Sequence, residues 1–498
     1  MNDPQTGHFN TDIPVTRFDI EKTEVVYGPL SEYGSSGMGG AVNFKSLPPS
    51  DKFGIKGAFE LGQYDYYSGG LRADLPYGIF KNKISVESAK SGGYMPETEF
   101  DRLSANVNTT IDLEDGKMGF TYAELVKNFG ADSFYSDIYP NEEEHTNTRF
   151  LKLDAEYERE DISLYPILYY RRHWDKFILD RNREDWNKNI HKNYTYGVAL
   201  NAVLDNKSGQ SFYGMDIAEE KICSTSLGKH SRVRDGYFFK SNFDMGKYFF
   251  ELGMRMDHYS TFGFEFNPSA GASYSPYDDI KLRASCARSF RAPSFTELYY
   301  TSPANIGDPE LKPENAWTFD AGADYAGHVF DAGVTPFVRF AEDMIDWART
   351  DSSKIWYARN IGKFYVYGIE SYSKLLPGKI GMKNIKNAAF KYGYQEAFYK
   401  EGFTSKYIFN YLKHNITMNA ECEWIYGITQ DLSVSFRKRA GDKGYFLLGT
   451  KIYKDIEVKK AKIRYYLQAE NMTDTEYSDV GGVEQPGFWL TCGISLEF

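Results

Sequence analysis

The sequence predicts an all-β fold, a transmembrane antiparallel β-barrel of about 22 strands preceded by a short segment of different character. Three observations predict it. At the C-terminus, Phe488, Leu490, Cys492, Ile494, Leu496 and Phe498 share one face of a strand, opposite Thr491, Gly493, Ser495 and Glu497. A period of two with one apolar and one polar face suits a strand between two different solvents. Such segments recur along the chain. Short turn signals also alternate with long polar stretches, the asymmetry of an outer-membrane barrel.

The first fifty residues stand apart. They are rich in Gly, Pro and Ser, and carry Gly34-Ser-Ser-Gly-Met-Gly-Gly40 ahead of Ala41-Val-Asn-Phe44. Glycine at this density permits tight turns and positive φ. Pro48-Pro49 reads as a linker, so residues 1–50 form one unit and residues 51–498 the barrel.

Beyond the linker, strands follow from parity. Phe250, Leu252, Met254 and Met256 oppose Glu251, Arg255 and Asp257; Ile280, Leu282, Ala284 and Cys286 oppose Lys281, Arg283 and Ser285. Ile416, Met418, Ala420 and Cys422 oppose Thr417, Asn419 and Glu421, while Ile463, Tyr465 and Leu467 oppose Arg464, Tyr466 and Gln468. The charged second face excludes a dry sandwich core but suits a wet or plugged lumen. Turns are expected at Glu114-Asp-Gly116, Asp244-Met-Gly246 and Pro377-Gly378. The polar stretches 128–149, 171–193, 218–236, 290–317, 341–362 and 473–487 are expected as external loops.

Composition agrees. Tyr (40), Phe (36) and Gly (44) are abundant, as short strands and turns require. No apolar run approaches the ~18 residues of a transmembrane helix. A net charge of -11 argues against nucleic acid as a partner, since that needs a basic face. Cys223, Cys286, Cys422 and Cys492 are far apart, without metal-ligand spacing, and read as small hydrophobes. The N-terminus has no basic stretch followed by an apolar core, hence no secretory signal. For an exported protein this suggests that the signal was removed or that the chain begins inside a longer product.

Chemistry is sparse. The Gly34–Gly40 segment lacks the Lys-Ser/Thr of a phosphate-binding loop and introduces no helix. His145, His173, His191 and His230 fall in expected loops without metal-binding spacing, and Glu142-Glu-Glu144 reads as a hydrated loop tip. Ser35 lacks the strand-turn-helix context of a nucleophile. No catalytic residue, cofactor or metal site is predicted.

Ligand capture is better supported. Asp3, Gln5, Thr6, His8 and Asn10 offer hydrogen bonds and Phe9 an apolar surface. Trp174, Phe177, Trp186 and Tyr194 with Arg171, Arg172 and Arg181 form an aromatic and basic cluster suited to stacking on, and pairing with, a large polar solute. The plainer alternatives are a polar loop for the first group and an interfacial aromatic girdle for the second.

Asp19–Phe44, with Tyr27-Gly-Pro29 and the glycine run, resembles the closing segment of the plug of TonB-dependent outer-membrane receptors. Ser289-Phe-Arg-Ala-Pro-Ser-Phe-Thr-Glu-Leu-Tyr-Tyr300 and Gly307-Asp-Pro-Glu-Leu-Lys-Pro-Glu314 resemble that family's mid-barrel signature. Gly368-Ile-Glu370, Glu470–Tyr477 and Pro486-Gly487 with the terminal Phe498 resemble its last strands. Tyr27 and Phe488 stand where the family usually has Arg; the first of those arginines commonly helps hold plug to barrel.

The resemblance implies a partial N-terminal plug whose Asn2–Asn10 loop points toward an external ligand. It implies uptake of a scarce metal chelate, cobalamin or a ferric siderophore, energised through the TonB complex. The implied receptor is a monomer in outer-membrane lipid, with room for a surface lipoprotein partner. The coupling segment and the first part of the plug are not in the sequence, so an N-terminally truncated receptor is expected. A passive porin-like channel and a glycan-binding surface β protein are the alternatives.

Overall fold

Alternation decides which way each strand presents its side chains, and pairing of the last strand with the first closes the sheet. The computed structural model describes residues 2–27, 38, 40–135, 138–350, 353–399, 403–407, 410–479 and 482–498. An N-terminal hairpin pairs β1 (Ile20–Tyr27) with β2 (Gly40–Ser46). The barrel begins with β3 (Gly54–Gly62), β4 (Tyr66–Asp74), β5 (Phe80–Ser91), β6 (Phe100–Leu113) and β7 (Gly116–Gly130). It continues through β8 (Glu143–Arg159), β9 (Ile162–Ile178), β10 (Lys188–Asn206), β11 (Gly209–Ser224) and β12 (Gly228–Met245). Twelve more strands, the last Trp489–Glu497, bring the closed antiparallel barrel to 22 among the described residues.

Closure is explicit in the register: Ile494 faces Phe59 of β3 and Tyr465 of the preceding strand. The apolar stripe of the terminal strand lies on the outer wall, where Ile494 and Phe498 are 37% and 59% exposed. Leu168, Val198 and Ile217 form a row across β9, β10 and β11 on the same wall, all exposed. Such a wall is stable only against lipid. The inner wall carries the charges: Arg234 pairs with Asp216 and Glu220, and Arg255 with Asp216 and Asp257. On that wall Tyr169 lies flat over Gly197, where an added Cβ would stand 2.1 Å from the ring.

The N-terminal segment occupies this polar lumen. Arg17 reaches Glu60 and Glu87 at 2.7 and 3.1 Å, Asp19 pairs with Lys83 at 3.0 Å, and Arg72 donates to the Phe18 carbonyl. The glycine run Gly34–Gly37, Gly39, and Gly28-Pro29 lie outside the described residues, as does the side chain of Tyr27.

Several expected loops are strand instead. Residues 171–178 and 188–193 extend β9 and β10, and 218–224 and 228–236 extend β11 and β12, leaving short connections. Their polar alternate residues mark contact with the lumen contents, not solvation. His145, His173, His191 and His230 consequently lie on strands. Glu142 and Glu144 are buried rather than at a hydrated tip. Expected external connections at 292–313 and 343–363 are present and, with Thr404–Ser405 from a later connection, carry a small four-stranded sheet built on Ile345–Arg349 and Trp356–Asn360.

Candidate functional site at the mouth of the lumen

The site is built where residues 2–12 meet the inner faces of β8, β9 and β10. Odd-numbered residues of β9 point inward, so Arg171, His173 and Asp175 form one ladder, each buried. Arg171 donates to Asp3 at 2.5 Å. Burial opposes the charge on Asp3, but the guanidinium of Arg171 and a backbone bond from Gln5 hold its carboxyl below the ordinary value. Gln5 donates to Asp175 at 3.1 Å and accepts from Asn193 at 2.5 Å. Phe9 lies 4.3 Å, ring to ring, from His173, whose Nδ1 meets the Thr148 hydroxyl at 2.8 Å. Asp12 takes Lys127 at 2.6 Å.

Glu144 and Asp175 lie side by side deep in this contact, both buried. Above them Tyr135 donates to Glu144 at 3.0 Å, and its backbone N–H donates to Glu142 at 2.9 Å. Burial pushes the Glu142 carboxyl up to about 8 and the Tyr135 hydroxyl well above its usual range.

From the opposite side a folded loop presses on the same residues. Ser294 and Glu297 form a reciprocal cap that starts the short helix α1 (Phe295–Tyr299). The Phe295 and Thr296 N–H groups donate to the carbonyls of Pro4 and Gln5 at 2.9 and 3.0 Å. Arg291 braces the cap by bridging Glu297 and Glu314. Beneath it Phe295, Leu298, Leu311, Ile345 and Ile222 form a small apolar core that fixes α1 over the lumen. The mid-barrel signature is thus a clamp on residues 4 and 5.

The predicted site residues separate into groups. Asp3, Gln5 and Phe9 are buried in the contact with the barrel. His8 and Asn10 are exposed and Thr6 half-buried; the His8 ring stands 5.5 and 5.8 Å from Phe134 and Tyr135. The aromatic and basic cluster does not assemble: Arg171 and Phe177 face the lumen, whereas Arg172, Trp174 and Tyr194 face outward on the even parity. Arg181 binds Glu97 and Glu99 at 2.8 and 2.5 Å, and in the external loop Trp186 lies under Arg183 (4.3 Å) and tilted against Tyr139 (5.5 Å). The sequence reading misses Asp175, Asn193 and His173 as site residues because their stretch reads as loop; the polar Arg171, His173 and Asp175 at a spacing of two are the available signal, blurred by Arg172 between them. Among the described residues no group of three or more His, Cys, Asp or Glu is arranged to hold a metal ion.

A lumen entered by its own N-terminal segment, clamped by a Phe-Arg-Ala-Pro loop, matches a known architecture. The family description "TonB dependent receptor-like, beta-barrel" fits residues 48–498. The chain belongs to the TonB-dependent receptor family. The receptor is 23% identical over 386 residues to the vitamin B12 transporter BtuB of Vibrio vulnificus (strain YJ016), a match covering 72% of this chain and 60% of that protein. It superposes on the FrpB iron transporter of Neisseria meningitidis with a TM-score of 0.80 at 13% identity, covering 96% and 88% of the two chains. The siderophore receptor PirA of Pseudomonas aeruginosa gives 0.78 at 14% identity, covering 96% and 87%. The structural likenesses establish the fold, and membership of the family places the receptor in the outer membrane.

Proposed function

We propose that the receptor takes up a scarce metal-chelate nutrient, cobalamin or a ferric siderophore, across the outer membrane, with residues 1–50 acting as the plug. The observation that carries this reading is the division of labour within residues 2–12. Asp3, Gln5, Phe9 and Asp12 fix the segment to the barrel, while His8 and Asn10 stay open beneath the external loops. An open polar face held on a rigid support is what recognition of a bulky polar solute needs. Trp186 adds an exposed aromatic surface above it.

A lumen packed with buried ion pairs does not empty by thermal motion, so opening it requires work. We assign that work to the TonB complex acting on the plug; cobalamin is favoured by the sequence likeness to a B12 transporter and ferric siderophores by the fold likeness.

Titration of the purified protein with cyanocobalamin and with ferric catecholate and hydroxamate siderophores tests the ligand. One class is expected to saturate, more weakly in His8→Ala. Binding of none of them sinks the ligand assignment. Uptake by cells carrying the receptor is expected to stop when a protonophore collapses the proton gradient; uptake that continues unchanged identifies a passive channel.

A further inference from the structure

Past Asp19 the N-terminal segment leaves the wall. Up to that residue its polar groups go to the barrel: Asp12 to Lys127, Arg17 to Glu60 and Glu87, the Phe18 carbonyl to Arg72, and Asp19 to Lys83 and Ser85. In the hairpin β1–β2 they turn on one another. Lys22 and Asn43 both reach Glu24, at 2.6 and 3.2 Å, and Lys45 reaches Glu21 at 3.2 Å. Among the described residues no side-chain hydrogen bond or ion pair joins residues 20–27 or 40–46 to a barrel strand. Val25 and Val42, opposed in the register, are more than half exposed. A lone two-stranded hairpin is marginal in water, so its order depends on what holds its ends.

The base is held by one side chain. Lys83, almost wholly buried on β5, pairs with Asp19 at 3.0 Å and donates to the Leu47 carbonyl at 2.7 Å. The Leu47 N–H donates in turn to the Asp19 carbonyl at 2.6 Å. Both ends of the hairpin therefore close on a single ammonium. The far end is held by Met38, which packs against Ala316, Ala341 and Phe364. Those three form one row across neighbouring strands, Ala316 opposite Ala341 and Ala341 opposite Phe364. The two alanines leave a notch that a long, pliable thioether side chain fills. Halfway round the closed sheet from β5, this row stands on the opposite wall of the lumen. Met344 and Ile361, also packed at the notch, are the roots of the connection that carries the external sheet.

We propose that the hairpin β1–β2 is the moving bar of the lumen: it pivots on Lys83, Met38 is its latch, and residues 2–19 stay on the wall while it swings. Opening then releases one apolar contact and turns the chain about one ion-paired hinge, leaving the buried pairs of Asp3, Asp12 and Arg17 intact. A shift of the external sheet moves Met344 and Ile361 and so unseats the latch without touching the base. The inference rests on the reading of residues 1–50 as a plug, and its test needs no nutrient.

The test is hydrogen exchange resolved by peptide, on the detergent-purified receptor with and without mild urea. Urea is expected to open residues 20–27 and 40–46 at concentrations where residues 3–12 keep their protection. Lys83→Met should speed exchange in the hairpin by about tenfold or more, the size of one lost charge-assisted hydrogen bond. Met38→Ala should speed it several-fold, Met38→Leu should stay close to the wild type, and residues 3–12 should be unchanged in all three. Heat-modified gel mobility verifies that each barrel is folded; where Lys83→Met is not, Lys83→Met with Asp19→Asn takes its place. Hairpin exchange that is unchanged in both Lys83→Met and Met38→Ala overturns the proposal. So does loss of protection in residues 3–12 equal to that in the hairpin. A wrong nutrient assignment shows instead in the ligand titration and leaves these exchange rates untouched.

Discussion

Asp3 and Arg171, 168 positions apart in sequence, form a 2.5 Å ion pair with both side chains nearly inaccessible to water. It fastens the N-terminal segment to β9 at the level where the external loops begin. Removing one partner strands the other charge in a dry site. Arg171→Ala is expected to weaken the hold on residues 2–12 by about 3 kcal/mol or more, while the barrel itself still melts normally. Hydrogen exchange resolved by peptide reads this directly: amides of residues 3–12 should lose protection and those of β5 and β6 should not. Adding Asp3→Asn to that variant should restore part of the loss.

The Arg291 bridge makes a separate prediction. Arg291 is about a third exposed, so its pairs with Glu297 and Glu314 are partly screened by water. Arg291→Ala is expected to cost about 1–2 kcal/mol locally. Because α1 donates two backbone hydrogen bonds to Pro4 and Gln5, the loss should appear at residues 4–5 as well as at 294–300. Exchange confined to α1 would break the proposed link between clamp and segment.

Loop 131–142 should respond to pH with a definite sign. Burial raises Glu142 from 4.5 to about 8, so the closed loop holds a proton that the opened loop releases. Between those two values the closed form binds more protons, and its stability falls as pH rises. Limited proteolysis between Ala131 and Asn141 is expected to quicken from pH 5 to pH 8 relative to a control site, and Glu142→Gln should flatten the profile. A rate that slows with rising pH would refute the assignment.

Trp186 and Trp174 should behave differently. Trp186 is 52% exposed in the loop over the lumen, whereas Trp174 faces outward on β9. Trp186→Phe is expected to reduce nutrient affinity several-fold, with the intrinsic fluorescence change on binding reduced to match; Trp174→Phe should alter neither. An affinity loss in Trp174→Phe alone would reverse the roles.

What the sequence by itself determined is the direction of each strand's two faces. Leu490, Ile494 and Phe498 belong on lipid because period-two alternation is a property of one strand's backbone, needing no knowledge of its partners. The same parity, followed through Arg171–Asp175, separates Arg171 from Arg172 and Trp174. That signal was present but masked by the expectation that polar stretches are loops. A strand number of about 22 also follows from repeat length, and the Ser289–Tyr300 motif marks a special element without revealing its contacts.

Only the tertiary structure decided what each inward polar residue meets. Asp3 with Arg171, Gln5 with Asn193, and α1 with Pro4 join positions that become neighbours when the barrel has closed around its own N-terminus. Local pattern carries no information on such distant pairings, because a lumen-facing Asp looks the same whether water, an ion pair or another carboxyl awaits it.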